Sequence, residues 1–352
     1  MGNAMNHVYI NKRKIGASEP PYIVAEVSAN HNGQIGKAME IMSAAKASGA
    51  DAVKLQTYTP DTITLDCDKA DFLITEGPWK GYKMYDLYGL AHTPLEWHKA
   101  LFDHARALNI TCFSSPFDKT AVDLLEDLNA PAYKIASFEA IDLPLIKYVA
   151  STGKPMIIST GMASLVEISQ AVEVALENGC SNLVLLHCIS AYPAPINECN
   201  LTTIQDLAKQ FPVVVGLSDH TLGTTASITS VALGACFIEK HFTLSREDIG
   251  PDSDFSLEPL ELTQLCNSTR DAWLSLGTPG YDRKPSEKSN AQFRRSLYFV
   301  EDVKKGERVT ENNIRSIRPG FGLEPKYYEE VLGKILIEDI ERGCPVKWEI
   351  LV

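Results

Sequence analysis

At 352 residues and 45% hydrophobic, the chain is long enough for one large domain with its own core plus a small extra module. A formal charge of -12 and a pI near 5.2 argue against a nucleic-acid or anionic-membrane surface, so an anionic ligand must be held by a few focused cations. No apolar run reaches the roughly 18 residues of a membrane span, and no charged-then-apolar signal opens the chain. Met1 to Met5 reads as a cloning remnant. The eight cysteines (67, 112, 180, 188, 199, 236, 266 and 344) form no C-x-x-C pair and several sit in apolar runs, which suits reduced core residues of a cytoplasmic protein.

Eight short apolar runs follow in order: YIVAEVSAN from Tyr22, AVKLQTY from Ala52, TCFSSPF from Thr111, AYKIAS from Ala132, MIISTG from Met156, LVLLHC from Leu183, VVVGLS from Val213 and CFIEKHF from Cys236. Amphipathic segments lie between them, such as GKAMEIMSAAKASG, PLEWHKALFDHARALN and SLVEISQAVEVALENG, several closed by a C-capping glycine. Strict strand and helix alternation, eight times over, predicts a closed (β/α)₈ barrel over 15–280. An open doubly wound sheet is the competitor, but no G-x-G-x-x-G follows the first strand. The long connection from Tyr58 to Thr93 reads as a lid over the barrel mouth. Polar, Pro- and Gly-bearing sequence marks a linker at 281–292, and a second domain without βα alternation occupies 293–352.

Barrel chemistry sits where strands run into the loops that follow them, so the strand tails are the candidate site. Lys54 and Lys134 each interrupt an apolar strand; with Ser137, Ser159 and Ser218 they read as a phosphate or carboxylate site, or else as lysines paired with a barrel glutamate such as Glu26 or Glu239. His220 and His241 end neighbouring strands and can converge on a divalent metal, or be satisfied core histidines. Glu26, ending the first strand, is the candidate general base or water-positioning carboxylate. His31 is a weaker candidate that orders NHNG, and His187 reads as structural.

The stretches AEVSANHNG, GADAVKLQTYTPDT, FSSPFD, PAYKIASFE, ISTGM, SAYPAP, GLSDHTLG, IEKHFT, GPDSDFSLEP, RRSL and IRPGFGL together resemble the sialic acid synthase family over essentially the whole chain, and within it the pseudaminic acid synthases most. The resemblance implies a TIM barrel with a C-terminal antifreeze-like (SAF, β-clip) domain swapped between the subunits of a homodimer. It implies condensation of phosphoenolpyruvate with an open-chain acetamido sugar, here 2,4-diacetamido-2,4,6-trideoxy-altrose, with a divalent cation: manganese, or magnesium or cobalt. N-acetylneuraminate or legionaminate synthesis is the alternative within the family; a non-catalytic sugar- or ice-binding protein is the alternative outside it. Position by position, the resemblance makes His220 and His241 the metal ligands and Glu26 the acid/base residue. It places Lys54, Ser115, Lys134, Ser137, Ser159 and Ser218 around phosphoenolpyruvate, Tyr192 and Asp252 on the sugar side, and Arg318 in the partner subunit's site. Ser190 stands where N-acetylneuraminate synthases tend to carry asparagine, which points away from N-acetylmannosamine as acceptor.

Overall fold

A computed structural model describes residues 7–248 and 250–352 and divides the chain into two compact units, one ending at Gly277 and one spanning Thr278–Val352. Met1 to Met5 lies outside the described residues.

The first unit opens with a hairpin absent from the sequence reading, β1 (His7–Ile10) paired antiparallel with β2 (Arg13–Gly16). Eight parallel strands follow: β3 (Tyr22–Glu26), β4 (Ala52–Thr57), β5 (Thr111–Pro116), β6 (Tyr133–Ile135), β7 (Met156–Ser159), β8 (Leu183–Cys188), β9 (Val214–Asp219) and β10 (Phe237–His241). They close in sequence order, with β10 returning to β3, so the barrel is complete. These strands read as continuous apolar runs because they are covered on both faces. Ile23, Ala25, Val53, Leu55, Ile135 and Ile158 pack outward in the large core shared with the helices. Tyr22, Val24, Ala52, Phe113, Ile157, Val184 and Phe237 point inward and join Val8, Ile10 and Ile15 of the hairpin in a second cluster. The hairpin therefore plugs the N-terminal end of the barrel, and the barrel unit begins ahead of residue 15.

The helices fall between the strands as the periodicity predicts, among them Ile35–Ala47, His98–Leu108 and Leu165–Glu177, the last with a Ser164–Glu167 capping box. The 58–93 connection carries helical turns of its own at Pro60–Ile63, Ala70–Phe72 and Met84–Ala91.

In the second unit the predicted linker stretch holds two short 3₁₀ turns, Pro285–Glu287 and Ser289–Phe293. Then β11 (Ser296–Phe299) pairs antiparallel with β12 (Ile314–Ile317) over a small core of Leu297, Phe299, Val303, Val309, Ile314, Leu336 and Val346. Gly322 of the IRPGFGL stretch is required by close approach: a Cβ there would lie 2.2 Å from the Leu297 carbonyl oxygen.

Candidate active site

Sheet register assembles the site. Glu26 on β3 stands beside Lys54 on β4 and His241 on β10, and Ser218 on β9 stands between Cys188 and Glu239. Because side chains alternate along a strand, GLSDH and IEKH each send every second residue inward. Ser218, His220, Glu239 and His241 line a cavity of about 290 Å³ at the strands' carboxyl ends. The residues between them face out: Lys240 Nζ meets Asp219 Oδ2 at 3.0 Å, and Asp219 accepts from the Thr221 amide (2.8 Å) and Ser227 Oγ (2.5 Å). That outward pair ties β9 to β10 directly behind the two histidines.

The lysines are buried and both are paired. Lys54 Nζ lies 2.6 Å from Glu26 Oε2 and 3.3 Å from Glu239 Oε1, and Lys134 Nζ lies 2.9 Å from the same Glu239 oxygen. Thus the glutamate pairing that the sequence left open is realised for each. Ser218 Oγ donates to Glu239 Oε1 (3.2 Å) and Lys54 donates to Ser115 Oγ (3.3 Å), so Ser115 joins through Lys54. Burial pushes the Glu239 carboxyl up, but Lys134 and Lys54 outweigh it and hold the group down near about 2. For Glu26 burial wins instead and raises the group to about 7, with Lys54 only partly offsetting it. One carboxylate is thus fixed as an anion and the other titrates near neutrality. Ser159 Oγ is buried without a partner on the same wall, and Ser137 accepts from Ser190 Oγ at 2.8 Å. Gly161 of ISTGM adopts φ +49, and a Cβ there would fall 2.5 Å from Ser137 Cβ and 2.6 Å from Ser190 Oγ.

The imidazoles of His220 and His241 converge, with ring centroids 5.5 Å apart. His220 Nδ1 lies 2.9 Å from the Ile189 carbonyl; donating there leaves Nε2 as a free lone pair. Burial lowers His220 to about 4 and His241 well below its ordinary value, so both are neutral at pH 7. His241 Nδ1 is buried with no hydrogen-bond partner. Two neutral nitrogen donors, one of them orphaned, suit a divalent cation with open positions; among the described residues no group of three protein ligands forms.

Tyr192 stacks on His220 at 4.3 Å between ring centroids, and Trp79 of the lid lies 5.6 Å from Tyr192 while donating from Nε1 to the Pro251 carbonyl at 3.0 Å. Ile63, Ile74 and Leu87 complete a lid-side wall that is apolar where the opposite end is charged. Asp252 is on the cavity wall, its Oδ2 3.9 Å from His241 Nδ1. His31 and His187 stand elsewhere: His31 Nδ1 accepts from the Gly33 amide at 3.1 Å, and His187 Nε2 meets the Cys199 carbonyl at 2.6 Å. Arg318 lies exposed in the second unit, followed by a cis Pro319 peptide.

Three further polar residues on the cavity wall bear on the site. Glu139, two residues past Ser137, has Oε2 buried and unpartnered, and burial raises its carboxyl to about 7. Gln56 donates from Nε2 to Glu26 Oε1 (3.3 Å) and to Ser28 Oγ (3.1 Å). Ser28 is the third. Gln56 stood among the polar strand tails and Glu139 followed one; only their aim into the cavity was hidden.

Comparison with known proteins matches this arrangement. Residues 41–281 match the NeuB family model and residues 294–352 the SAF domain. The chain is 46% identical over 326 residues to pseudaminic acid synthase of Campylobacter jejuni strain 81-176, covering 93% of this chain and 95% of that one. It is 44% identical to pseudaminic acid synthase of Helicobacter pylori, covering 93% and 97%, and 42% identical to N,N'-diacetyllegionaminic acid synthase of Campylobacter jejuni, covering 89% and 95%. Among solved structures, N-acetylneuraminic acid synthetase of Leptospira borgpetersenii superposes with a TM-score of 0.73 at 30% identity, covering 82% of this chain and 96% of that one. With the NeuB family model matched over most of the barrel unit and 42–46% identity to these synthases over about nine-tenths of its length, the chain belongs to the NeuB family.

Proposed function

We propose that the protein is a pseudaminic acid synthase, joining phosphoenolpyruvate to 2,4-diacetamido-2,4,6-trideoxy-altrose to make a nine-carbon 2-keto acid and inorganic phosphate. One observation carries the chemistry: two buried lysines and two convergent neutral histidines line a single cavity, with Glu26 buried behind Lys54. The acceptor rests on the two pseudaminic acid synthases at 44% and 46% identity.

Lys54 and Lys134, with the Ser137, Ser159 and Ser218 hydroxyls, bind the anionic phosphoenolpyruvate. Its negative groups relieve the lysines of full dependence on Glu239. His220 and His241 would hold a divalent cation, manganese by family resemblance, whose chemistry there is to polarise the sugar aldehyde oxygen. Attack of the enol C3 on the aldehyde carbon forms the new C–C bond; water adds at C2, and C–O cleavage expels phosphate. Glu26, which titrates near neutrality beside Lys54, positions that water and in its ionised form takes its proton. The sugar lies toward the lid against Tyr192, Asp252 and Glu139, where Ile63, Ile74, Trp79 and Leu87 offer an apolar wall to a C6 methyl and N-acetyl groups.

We extend the proposal to assembly as a domain-swapped homodimer, on one observation. Phe138, Ile141, Met162 and Leu222, on the segments after the strands, and Leu165 and Val166, in the first turn of the helix Leu165–Glu177, stand exposed, a set of large apolar side chains typical of a covered surface.

Phosphate release across a panel of hexosamines and diacetamido-trideoxyhexoses tests the acceptor. The trideoxy-altrose sugar should give the highest kcat/KM; a higher value with N-acetylmannosamine or the legionaminate precursor would move the protein to that branch.

A further inference from the structure

Ser28 occupies a backbone conformation that disfavours it. Its φ is 45°, in the left-handed region that glycine enters freely and that other L-residues enter against Cβ clashes. Among the described residues, the other non-glycine positions with positive φ are Asn11, Lys12, Asn32, Asn109, Asn129 and Asn200; asparagine tolerates this region, and Lys12 sits in the hairpin turn. Ser28 is instead buried and on the cavity wall. Glycine would suit the backbone better there, so the hydroxyl must do something glycine cannot.

The hydroxyl is the meeting point of three segments. Ser28 Oγ–H donates to Asp252 Oδ2, and Oγ accepts from Gln56 Nε2 at 3.1 Å. The Ser28 amide donates to Glu26 Oε1 at 3.1 Å, on the same oxygen that Gln56 reaches. Among the described residues, the Asp252 carboxylate otherwise receives only the long Ala29 amide contact at 3.4 Å. Ser28 therefore couples the Glu26 carboxylate, buried behind Lys54, to the carboxylate beside His241, through three bonds of which a glycine would keep only that of the amide.

We infer that Ser28 is a positioning residue for the acceptor sugar, its strained backbone retained because the hydroxyl holds the Asp252 carboxylate in its sugar-binding orientation. The inference rests on the synthase reading for the identity of the acceptor class. It predicts a split between substrates. Phosphoenolpyruvate contacts the lysine end and should not sense the hydroxyl, whereas the sugar should.

The test compares wild type with Ser28→Gly and Ser28→Ala, alone and in an Asp252→Asn background, using whichever panel sugar the wild type turns over best. Turnover by the wild type with none of them would refute the synthase reading itself; Ser28 is then judged on sugar-induced thermal shifts, which need no turnover. Both single variants should lose about 10- to 100-fold in kcat/KM for the sugar, with KM for phosphoenolpyruvate within about twofold of wild type. In the Asp252→Asn background, removing the hydroxyl should add little, because its effect runs through that carboxylate. Ser28→Gly retaining sugar kcat/KM, an undiminished further loss beside Asp252→Asn, or a Ser28→Gly chain that fails to fold by circular dichroism would each overturn the assignment.

Discussion

Lys134 shows how the same side chain serves stability and binding. Its side chain is 2% exposed and its ammonium leans on Glu239, which also receives Lys54. Lys134→Met leaves Glu239 neutralised by Lys54, so the fold should survive while KM for phosphoenolpyruvate rises by about two orders of magnitude, read from steady-state phosphate release. Glu239→Leu strands two lysines against Glu26 alone, and should lower unfolding free energy by about 3–5 kcal/mol in urea titrations. Equal stability of the two variants would contradict the shared-anion arrangement. The sequence exposed these lysines because charge inside an apolar strand is conspicuous. It concealed which glutamate answered each, since Glu239 lies 105 residues from Lys134. Ser28 was concealed differently: serine in a loop looks ordinary, and a positive φ leaves no mark on composition.

Among the elements, the eight barrel strands could be read directly from β-branched and apolar runs bounded by turn residues. The N-terminal hairpin could not. Its strands are four residues each, and its turn is Asn11–Lys12 at φ 45° and 67°, a left-handed pair without the glycine that usually announces it. Ile15 is fully buried in the plug, so Ile15→Ala should destabilise the barrel by about 2–5 kcal/mol by chemical denaturation, with activity at 25 °C retained because the site is at the opposite end. The loop after β3 carries a pH effect. His31 is buried against Trp97, with Thr93 Oγ1 3.4 Å from Nε2, and burial lowers it to about 4. Its unfolded value is near 6.5, so the unfolded chain binds the proton first, and the stability present above pH 6.5 is lost as pH falls toward 4. Melting temperature should drop over that window, and His31→Gln should flatten the drop; an unchanged slope would remove His31 from the account.

At the scale of the molecule, barrel and SAF unit each formed from contiguous sequence, which is why the change of texture near residue 280 was visible. Arg318 poses the question of how they combine. It is exposed on its own unit, and the swapped homodimer would bring it to a partner's site. Glu26→Ala mixed with Arg318→Ala under subunit exchange should then restore about half the wild-type activity per heterodimer, since one of two sites is intact. No recovery despite demonstrated exchange would place Arg318 in its own chain's site or in none.

The central claim is that this cavity makes a carbon–carbon bond between phosphoenolpyruvate and a sugar aldehyde. It is tested most directly by supplying phosphoenolpyruvate labelled with ¹³C at C3 and acceptor sugar labelled with ¹³C at C1, and following the mixture by NMR. The account predicts a new one-bond ¹³C–¹³C coupling that grows in step with inorganic phosphate and requires both substrates. Phosphate released without the coupling, or without the sugar, would show hydrolysis rather than condensation and would contradict it.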